Sequence, residues 1–225
     1  MSDWRQFAGT AELDAALAEH IARRLEEDIQ RLGHASVAVS GGSTPVGLFR
    51  QLARQRLDWS RVWITLVDER CVATDSPDSN ERLVRSELLQ QHAAAAQFLG
   101  LAGACSDGPE QLEQQLAALP RPFSAVVLGM GTDGHTASWF PRAANLAGLL
   151  DPANPALVAT TDPVTAPHRR VTLTLPAVLN SRELLLHITG AGKRELLHSA
   201  VERDFPVAAI LLQNTTPATI WWAPQ

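Results

Sequence analysis

The stretch Ser36-Val-Ala-Val-Ser-Gly-Gly-Ser-Thr-Pro45 joins a short apolar run to two glycines and then to a proline. The apolar run predicts a strand over residues 36–39, and Pro45 predicts the first position of a helix. A strand that passes through a glycine turn into a helix is the repeating unit of sheets whose strands run parallel. This stretch therefore favours an α/β fold.

The same alternation continues on both sides of this unit. Residues 11–32 place an apolar side chain at every fourth position, which predicts an amphipathic helix that Gly33 ends. The residues of this stripe are Leu13, Leu17, Ile21, Leu25 and Ile29. Further strands are predicted at 62–67, 98–101, 125–128, around Val158, and at 171–175, 184–188, 208–212 and 219–222. Further helices are predicted near 81–91, near 110–119 and from Lys193.

This order predicts one doubly wound α/β domain over residues 1–225, with a mostly parallel sheet and helices on both faces. Ligands of such sheets bind beyond the carboxyl ends of the strands. The irregular stretch 143–167 is interpreted as a surface excursion within this domain rather than as a linker.

Composition narrows the class of ligand. The net charge of -5 and the pI near 5.8 argue against nucleic acid and acidic membranes, which require a summed positive potential. The apolar runs are too short to span a membrane, and the N-terminus lacks the apolar core of a signal peptide, so a cytoplasmic location is expected. Cys71 and Cys105 are too few for a thiolate metal cage; free thiols are expected, with a single disulfide as the alternative.

Three strand ends carry polar residues that suit an anion. The amides of Gly41 and Gly42 and the hydroxyls of Ser43 and Thr44 suit a phosphate, although an ordinary capped turn is the alternative. Arg70, in Asp68-Glu69-Arg70, is able to form a bidentate contact with a phosphate, although this segment alone favours a surface ion pair. The positive charge of Lys193 lies near a predicted helix N-terminus, where the helix dipole disfavours a cation. A bound anion would remove this unfavourable interaction; the alternative is a solvated lysine, for which the interaction is weak.

A fourth glycine-rich segment, residues 126–141, contains the spacing G-x-G-x-x-G at Gly129, Gly131 and Gly134. A dinucleotide site needs a long helix after the third glycine and an acidic residue about 20 positions later at a strand end. Pro141 interrupts the helix and the acidic residue is missing, so the pattern does not indicate a nicotinamide site. Asp133 and His135 remain, an acid and a base two residues apart that suit proton transfer from water. A metal held by Asp68, Asp133 and His135 is an alternative without the spacing of known zinc motifs.

In combination, these segments closely resemble the 6-phosphogluconolactonases. The segments are Ser40 to Pro45, Asp68-Glu69-Arg70 with Ser79-Asn80, Gly131 to Pro141, Arg170 to Thr174, and Gly190-Ala191-Gly192-Lys193. The resemblance covers nearly the whole chain and implies hydrolysis of 6-phosphoglucono-1,5-lactone in the oxidative pentose phosphate pathway, with no metal or organic cofactor. It implies His135 as general base with Asp133 beside it. It also implies that the substrate is bound by Gly41, Gly42, Ser43, Thr44, Arg70, Gly131, Arg170 and Lys193.

Two other functions are weighed against this one. The related glucosamine-6-phosphate deaminases share the glycine loop and the Asp-Gly-His element, but continue into Asn-Glu-Pro where this chain reads Trp139-Phe140-Pro141. A sugar-phosphate sensor without catalysis would not need the base at His135. The sequence leaves open whether Arg169 or Arg170 faces the phosphate, and whether the chain is a monomer or a dimer.

Overall fold

The structure, a computed structural model, describes residues 3–224. Within this range seven strands form one sheet in the order β1-β10-β9-β6-β2-β3-β5, and every neighbouring pair is parallel. Its strands are β1 (Asp3–Gln6), β2 (Ala35–Val39), β3 (Val62–Leu66), β5 (Gln97–Leu99), β6 (Ala125–Leu128), β9 (Leu184–Thr189) and β10 (Ala218–Ala223). The predicted α/β class with a mostly parallel sheet is confirmed.

A second, smaller sheet stands beyond the carboxyl ends of this one and was not predicted. Its strands are antiparallel, in the order β4-β8-β7, and span Asp68–Arg70, Arg170–Leu173 and Val158–Thr161. The irregular stretch 143–167 thus contains a strand of this sheet. Of the strand predicted at 171–175, residues 171–173 belong to this sheet rather than to the parallel sheet, and Leu175 begins a helix. The second sheet brings Arg170 opposite Arg70 in register.

The helices connect the strands of the parallel sheet and cover its two faces. They are α1 (Thr10–Leu32), α2 (Val46–Leu52), α3 (Asn80–Glu87), α4 (Gly103–Asp107), α5 (Pro109–Ala117), α6 (Leu146–Leu150), α7 (Leu175–Leu179), α8 (Ala191–His198) and α9 (Ala208–Leu212), with short 3-10 helices at Trp59–Arg61 and Gln91–Ala95. The apolar stripe of α1 is buried as predicted, and Gly33 ends the helix in the left-handed conformation at φ 82°. Within residues 3–224 no helix is long and apolar enough to cross a membrane.

The order of the strands creates a switch point between β2 and β6. From β2 the chain proceeds outward through β3 to β5, then returns to β6 on the other side of β2 and proceeds through β9 to β10. The loops that leave β2 and β6 therefore turn away from each other, which opens a crevice between them at the carboxyl edge. The glycine loop follows β2 and the Asp133–His135 segment follows β6.

Two expectations are wrong. Residues 208–212 form the short helix α9 rather than a strand. Short apolar runs do not distinguish the two structures by periodicity. The cysteines are not free: Cys71 and Cys105 form a disulfide across 34 positions of sequence, with Cα atoms 5.4 Å apart. The folding of α4 against β8 brings them together.

Candidate active site

A cavity of about 220 Å³ opens at the switch point, where the carboxyl ends of the parallel strands face the second sheet. It is lined by the loops after β2 and β6, by the carboxyl ends of β6 and β9, by β4, and by the first turns of α3 and α8. The lining residues are Ser40, Gly41, Gly42, Ser43, Thr44, Pro45, Asp68, Arg70, Asn80, Val127, Leu128, Gly129, Met130, Gly131, His135, Ala137, His187 and Lys193. Four sequence-predicted segments thus meet in one place.

The glycine loop leaves its backbone donors free. The N–H groups from Gly41 to Thr44 form no hydrogen bond with another residue of the described chain. Gly42 has φ 94°, a left-handed conformation that favours glycine. A Cβ at Gly41 would overlap the side chain of Asn80, so glycine is required there by close approach. Free amides that converge on a cavity suit an anionic ligand.

Glu69 fixes the arrangement of the neighbouring segment. Its fully buried carboxyl group accepts hydrogen bonds from the backbone N–H of Arg70, Asn80 and Glu81 at 2.6, 2.8 and 2.7 Å, and from Ser79 Oγ at 3.1 Å. Burial raises the pKa of Glu69, and the four hydrogen bonds only partly oppose this effect. Glu69 therefore ties the end of β4 to the first turn of α3, which places Asn80 in the cavity wall.

The guanidinium groups of Arg70 and Arg170 lie near each other at the junction of the two sheets. Arg70 lines the cavity and donates through Nη1 to the carbonyl of Asp78 at 2.6 Å. Arg170 is 5% exposed, and its Nε and Nη1 find no acceptor among the described residues. Burial lowers the pKa of Arg170, and the positive charge of Arg70 lowers it further. Two close guanidinium groups with free N–H donors are suited to a dianion.

Arg169 differs from its neighbour. Its guanidinium lies on the surface and donates through Nη2 to Thr160 Oγ1 at 2.8 Å. Arg170 does not line the cavity directly; its guanidinium carbon lies 5.8 Å from the ring centre of Phe140, which in turn packs 4.3 Å from the ring of His135. Of the two arginines that the sequence left open, Arg170 is buried beside the site and Arg169 lies on the surface.

His135 is held by Asp133 and by the absence of a side chain at Gly131. Its Nδ1 donates to Asp133 Oδ1 at 2.5 Å, and its backbone N–H donates to the same oxygen at 3.2 Å. Burial opposes the charge of Asp133, but the attraction and hydrogen bonds of His135 outweigh it and lower the pKa of this carboxyl. A Cβ at Gly131 would overlap the imidazole. With Nδ1 occupied, Nε2 is the nitrogen available to a substrate.

The sequence predicted a helix after Gly134 that is interrupted at Pro141; the structure has no helix at all from Gly129 to Pro141. The loop over these residues is instead closed by short contacts. Gly131 N donates to the carbonyl of His135 at 2.9 Å, and Ser138 Oγ donates to Asp68 Oδ2 at 2.5 Å. Trp139 is fully buried, with Nε1 bonded to the carbonyl of Leu173. The second sheet thereby anchors the loop and holds Asp133 and His135 over the cavity.

Lys193 approaches the cavity from the first turn of α8 and is the only lysine in the chain. Partial burial lowers its pKa, since the ammonium group loses hydration. Its being the single lysine was visible from composition, but the prediction for Lys193 did not use it. A chain that otherwise uses arginine for its positive charges has its single lysine at this position.

Eight of the ten predicted site residues line the cavity, Asp133 contacts one of them, and Arg170 lies beside another. Asn80 belongs to the segments that carry the resemblance but was given no role in the site; it lines the cavity, while Ser79 caps α3 by accepting from Arg82 N. His187 was overlooked, although a polar side chain inside the apolar run 184–188 was visible in the sequence. Asp68 is bonded to Ser138, and in residues 3–224 no three histidine, cysteine or acidic side chains group as metal ligands.

Comparison with known proteins agrees with the motifs. The family model described as glucosamine-6-phosphate isomerases/6-phosphogluconolactonase matches residues 8–221. The chain belongs to this family. A family member from Rhizobium meliloti (strain 1021), named 6-phosphogluconolactonase, is 43% identical over 97% of both chains.

Solved structures of the family have the same fold. The crystal structure of a 6-phosphogluconolactonase from Shewanella baltica OS155 superposes with a TM-score of 0.94 at 43% identity, covering 99% of this chain and 98% of the other. A putative 6-phosphogluconolactonase from Neisseria gonorrhoeae FA 1090 gives a TM-score of 0.90 at 34% identity, covering 99% and 100%. The family's NagB-type fold is therefore that of this chain.

Proposed function

We propose that the chain hydrolyses 6-phosphoglucono-1,5-lactone to 6-phosphogluconate, the second step of the oxidative pentose phosphate pathway. The observation that carries the proposal is the Asp133–His135 pair in a cavity with free amides and cations. The bond from Nδ1 to Asp133 orients the ring and leaves Nε2 to accept a proton. The names of the most similar relatives support the same reaction.

The reaction begins with a water molecule between His135 Nε2 and the lactone carbonyl. His135 takes one proton as the water oxygen bonds to C1, and negative charge develops on the former carbonyl oxygen. Backbone N–H groups of the glycine-rich loops and a nearby cation stabilise this oxyanion, a contribution of about 3–4 kcal/mol for one well-placed donor. The C1–O5 bond then breaks, and the ring oxygen receives the proton from His135.

Binding of the substrate is assigned to groups that suit a phosphate and hydroxyls. The amides and hydroxyls of the loop from Gly41 to Thr44 face the cavity together with Lys193. Arg70 also lines the cavity, and Arg170, which is opposite it in the second sheet, has free donors. We assign the 6-phosphate and the sugar hydroxyls to these residues, and we assign Gly131 to the substrate face beneath His135.

The deaminase reaction requires a carboxylate that this cavity lacks at the matching position. Phe140, which precedes Pro141, stands where the deaminase motif Asn-Glu-Pro has its glutamate. Its apolar ring is 3% exposed and packs against His135. We therefore expect no release of ammonia from glucosamine 6-phosphate.

The direct test is the release of acid from freshly prepared 6-phosphogluconolactone at constant pH, with and without the protein. We expect acid release well above the spontaneous opening of the lactone, which must be subtracted. Binding of 6-phosphogluconate without faster hydrolysis would instead identify a sensor. Ammonia from glucosamine 6-phosphate would identify a deaminase.

Replacing His135 with Gln tests the role of the base. We expect kcat to fall by about 10²–10⁴-fold with little change in KM, because the amide cannot accept the proton while the cavity keeps its shape. Asp133→Asn should lower kcat by a smaller factor, since the ring remains but loses its orienting carboxylate. Near-normal turnover by a folded His135→Gln protein would contradict the assignment.

A further inference from the structure

The cavity contains a second histidine that the proposed mechanism does not use. His187 lies near the carboxyl end of β9, is 2% exposed and lines the cavity. Its Nε2 lies 3.3 Å from Asp14 Oδ1, a close approach rather than an aligned hydrogen bond. Among the described residues, Nδ1 has no hydrogen-bond partner. A buried imidazole nitrogen at a cavity wall that lacks a hydrogen-bond partner costs folding free energy, unless a ligand in the cavity forms the hydrogen bond.

Asp14 is an unusual residue for its position. It lies on the buried face of α1, between apolar residues of the stripe, and is 8% exposed. A Cβ at Gly47, in the first turn of α2, would overlap its carboxylate. The carboxylate thus occupies the space that Gly47 leaves, directly behind the glycine loop. A buried carboxylate is expensive in an apolar environment, and His187 is the basic group beside it.

The sheet register places His187 among the groups assigned to phosphate. Leu186 pairs with Leu128 of β6, so His187 is level with Gly129, and β6 in turn lies beside β2 and its glycine loop. His187 and Lys193 also belong to one strand-turn-helix unit. Since Nε2 faces Asp14, Nδ1 is the nitrogen left for the cavity.

We propose that His187 binds the phosphate group of the substrate through Nδ1, and that Asp14 is a positioning residue that holds the ring through Nε2. The inference rests on the proposed function only in taking a sugar phosphate as the ligand. Asp14 acts on the substrate through His187, and Gly47 provides the room in which it does so. His187 then contributes to binding rather than to proton transfer, which remains with His135.

Two amide substitutions separate ligand binding from a purely structural role. Asn places its amide near the position of Nδ1, whereas Gln places its amide near the position of Nε2. We expect His187→Gln to weaken the binding of 6-phosphogluconate and of inorganic phosphate about tenfold or more, as is typical for a lost hydrogen bond to a charged group. His187→Asn should retain more of both affinities than His187→Gln. In both variants the rise in KM for the lactone should exceed the fall in kcat.

A structural role predicts the opposite order. If His187 only partners Asp14, the Gln variant would keep wild-type affinity, and this result overturns the proposal. Unchanged affinity for inorganic phosphate in both variants also overturns it. Asp14→Asn provides a second measurement if the His187 variants do not fold. It should raise KM and the dissociation constant of 6-phosphogluconate, with kcat nearly unchanged.

The chain offers a matched control in His20. This histidine is 9% exposed and its Nε2 contacts Glu183 at 2.9 Å, but it lies outside the cavity. His20→Asn should lower the thermal midpoint without changing the affinity for phosphate; an equal loss of affinity would mean that the His187 effect is general destabilisation. A wild-type protein that binds 6-phosphogluconate but does not hydrolyse the lactone would refute the proposed function and leave the His187 assignment standing.

Discussion

At residue 131 a side chain has no room. The imidazole of His135 and the carboxylate of Asp133 occupy the space where a Cβ would project from Gly131. The backbone there is not left-handed, so the requirement for glycine comes from close approach and not from conformation. The base of the proposed reaction is thus positioned by a missing side chain as much as by its hydrogen bond.

Gly131→Ala should therefore lower kcat by about 10²-fold, because an added methyl displaces the imidazole by an ångström or so. The measurement is steady-state hydrolysis of the lactone on a variant shown to be folded by circular dichroism. Gly148→Ala is the control, since a Cβ at this position on α6 meets open space. Equal activity of the two alanine variants would show that His135 tolerates the displacement.

Lys193 gives the chain a single side-chain titration in the alkaline range below arginine. The chain has no tyrosine and its two cysteines are bonded to each other, so Lys193 is the side chain that titrates in the alkaline range below arginine. Burial lowers its pKa, and a phosphate binds the charged form. Affinity should therefore be full below this pKa and fall as the pH rises through it, at a lower pH than for an ordinary lysine.

The test is the dissociation constant of 6-phosphogluconate as a function of pH. In Lys193→Arg the alkaline loss of affinity should disappear, because guanidinium remains charged throughout the range. Lys193→Met should bind weakly at every pH. If Lys193→Arg shows the same alkaline loss as the wild type, another group is responsible.

At the scale of elements, the start of α3 depends on a carboxyl group from β4. The side chain of Glu69 accepts from the backbone N–H of Asn80 and Glu81 in the first turn of α3, and so adds to the cap that Ser79 provides; it also accepts from Arg70 N and from Ser79 Oγ. This link explains why Arg70 and Asn80 reach the same cavity although ten positions separate them.

Glu69→Gln should reduce the free energy of unfolding by roughly 2–3 kcal/mol. The NH2 group of the glutamine amide, which replaces one carboxylate oxygen, is itself a donor, so the N–H and O–H groups that bond to that oxygen of Glu69 lose their acceptor. Urea unfolding measures this loss. Glu87→Gln is the matched control, because Glu87 forms an ion pair with the exposed Arg50. This substitution should reduce the free energy of unfolding by less than about 1 kcal/mol. Equal losses in the two variants would contradict the capping role of Glu69.

At the scale of the whole molecule, the disulfide joins the end of β4 to α4. Cys71 directly follows Arg70, so the cross-link lies next to the cavity wall. A loop of this length is expected to contribute about 2–4 kcal/mol to stability, chiefly by limiting the unfolded chain.

The double variant Cys71→Ser/Cys105→Ser should lose about that amount in urea unfolding without reductant. Reductant should destabilise the wild type to a similar extent and leave the double variant unchanged. If reductant does not affect the wild type, the disulfide does not contribute to its stability.

Local signals in the sequence were sufficient for much of the fold. The four-residue stripe of α1, the strand-glycine-helix units and the order of apolar runs depend on neighbours in the chain, and they predicted the parallel sheet. The assignment of 208–212 failed because the periodicity of a short apolar run does not distinguish a strand from a helix.

The sequence by itself determined the α/β class, the glycine loop, the Asp133–His135 pair and the resemblance to a lactonase family, because each depends on residues that are close in the chain. Only the tertiary structure decided how these parts combine. The pairing of Arg70 with Arg170, the Glu69 cap, the contact between Asp14 and His187, and the disulfide all join residues that are distant in sequence. They are set by the return of the chain to β6 across the switch point and by the second sheet above it, and such packing has no short-range signature.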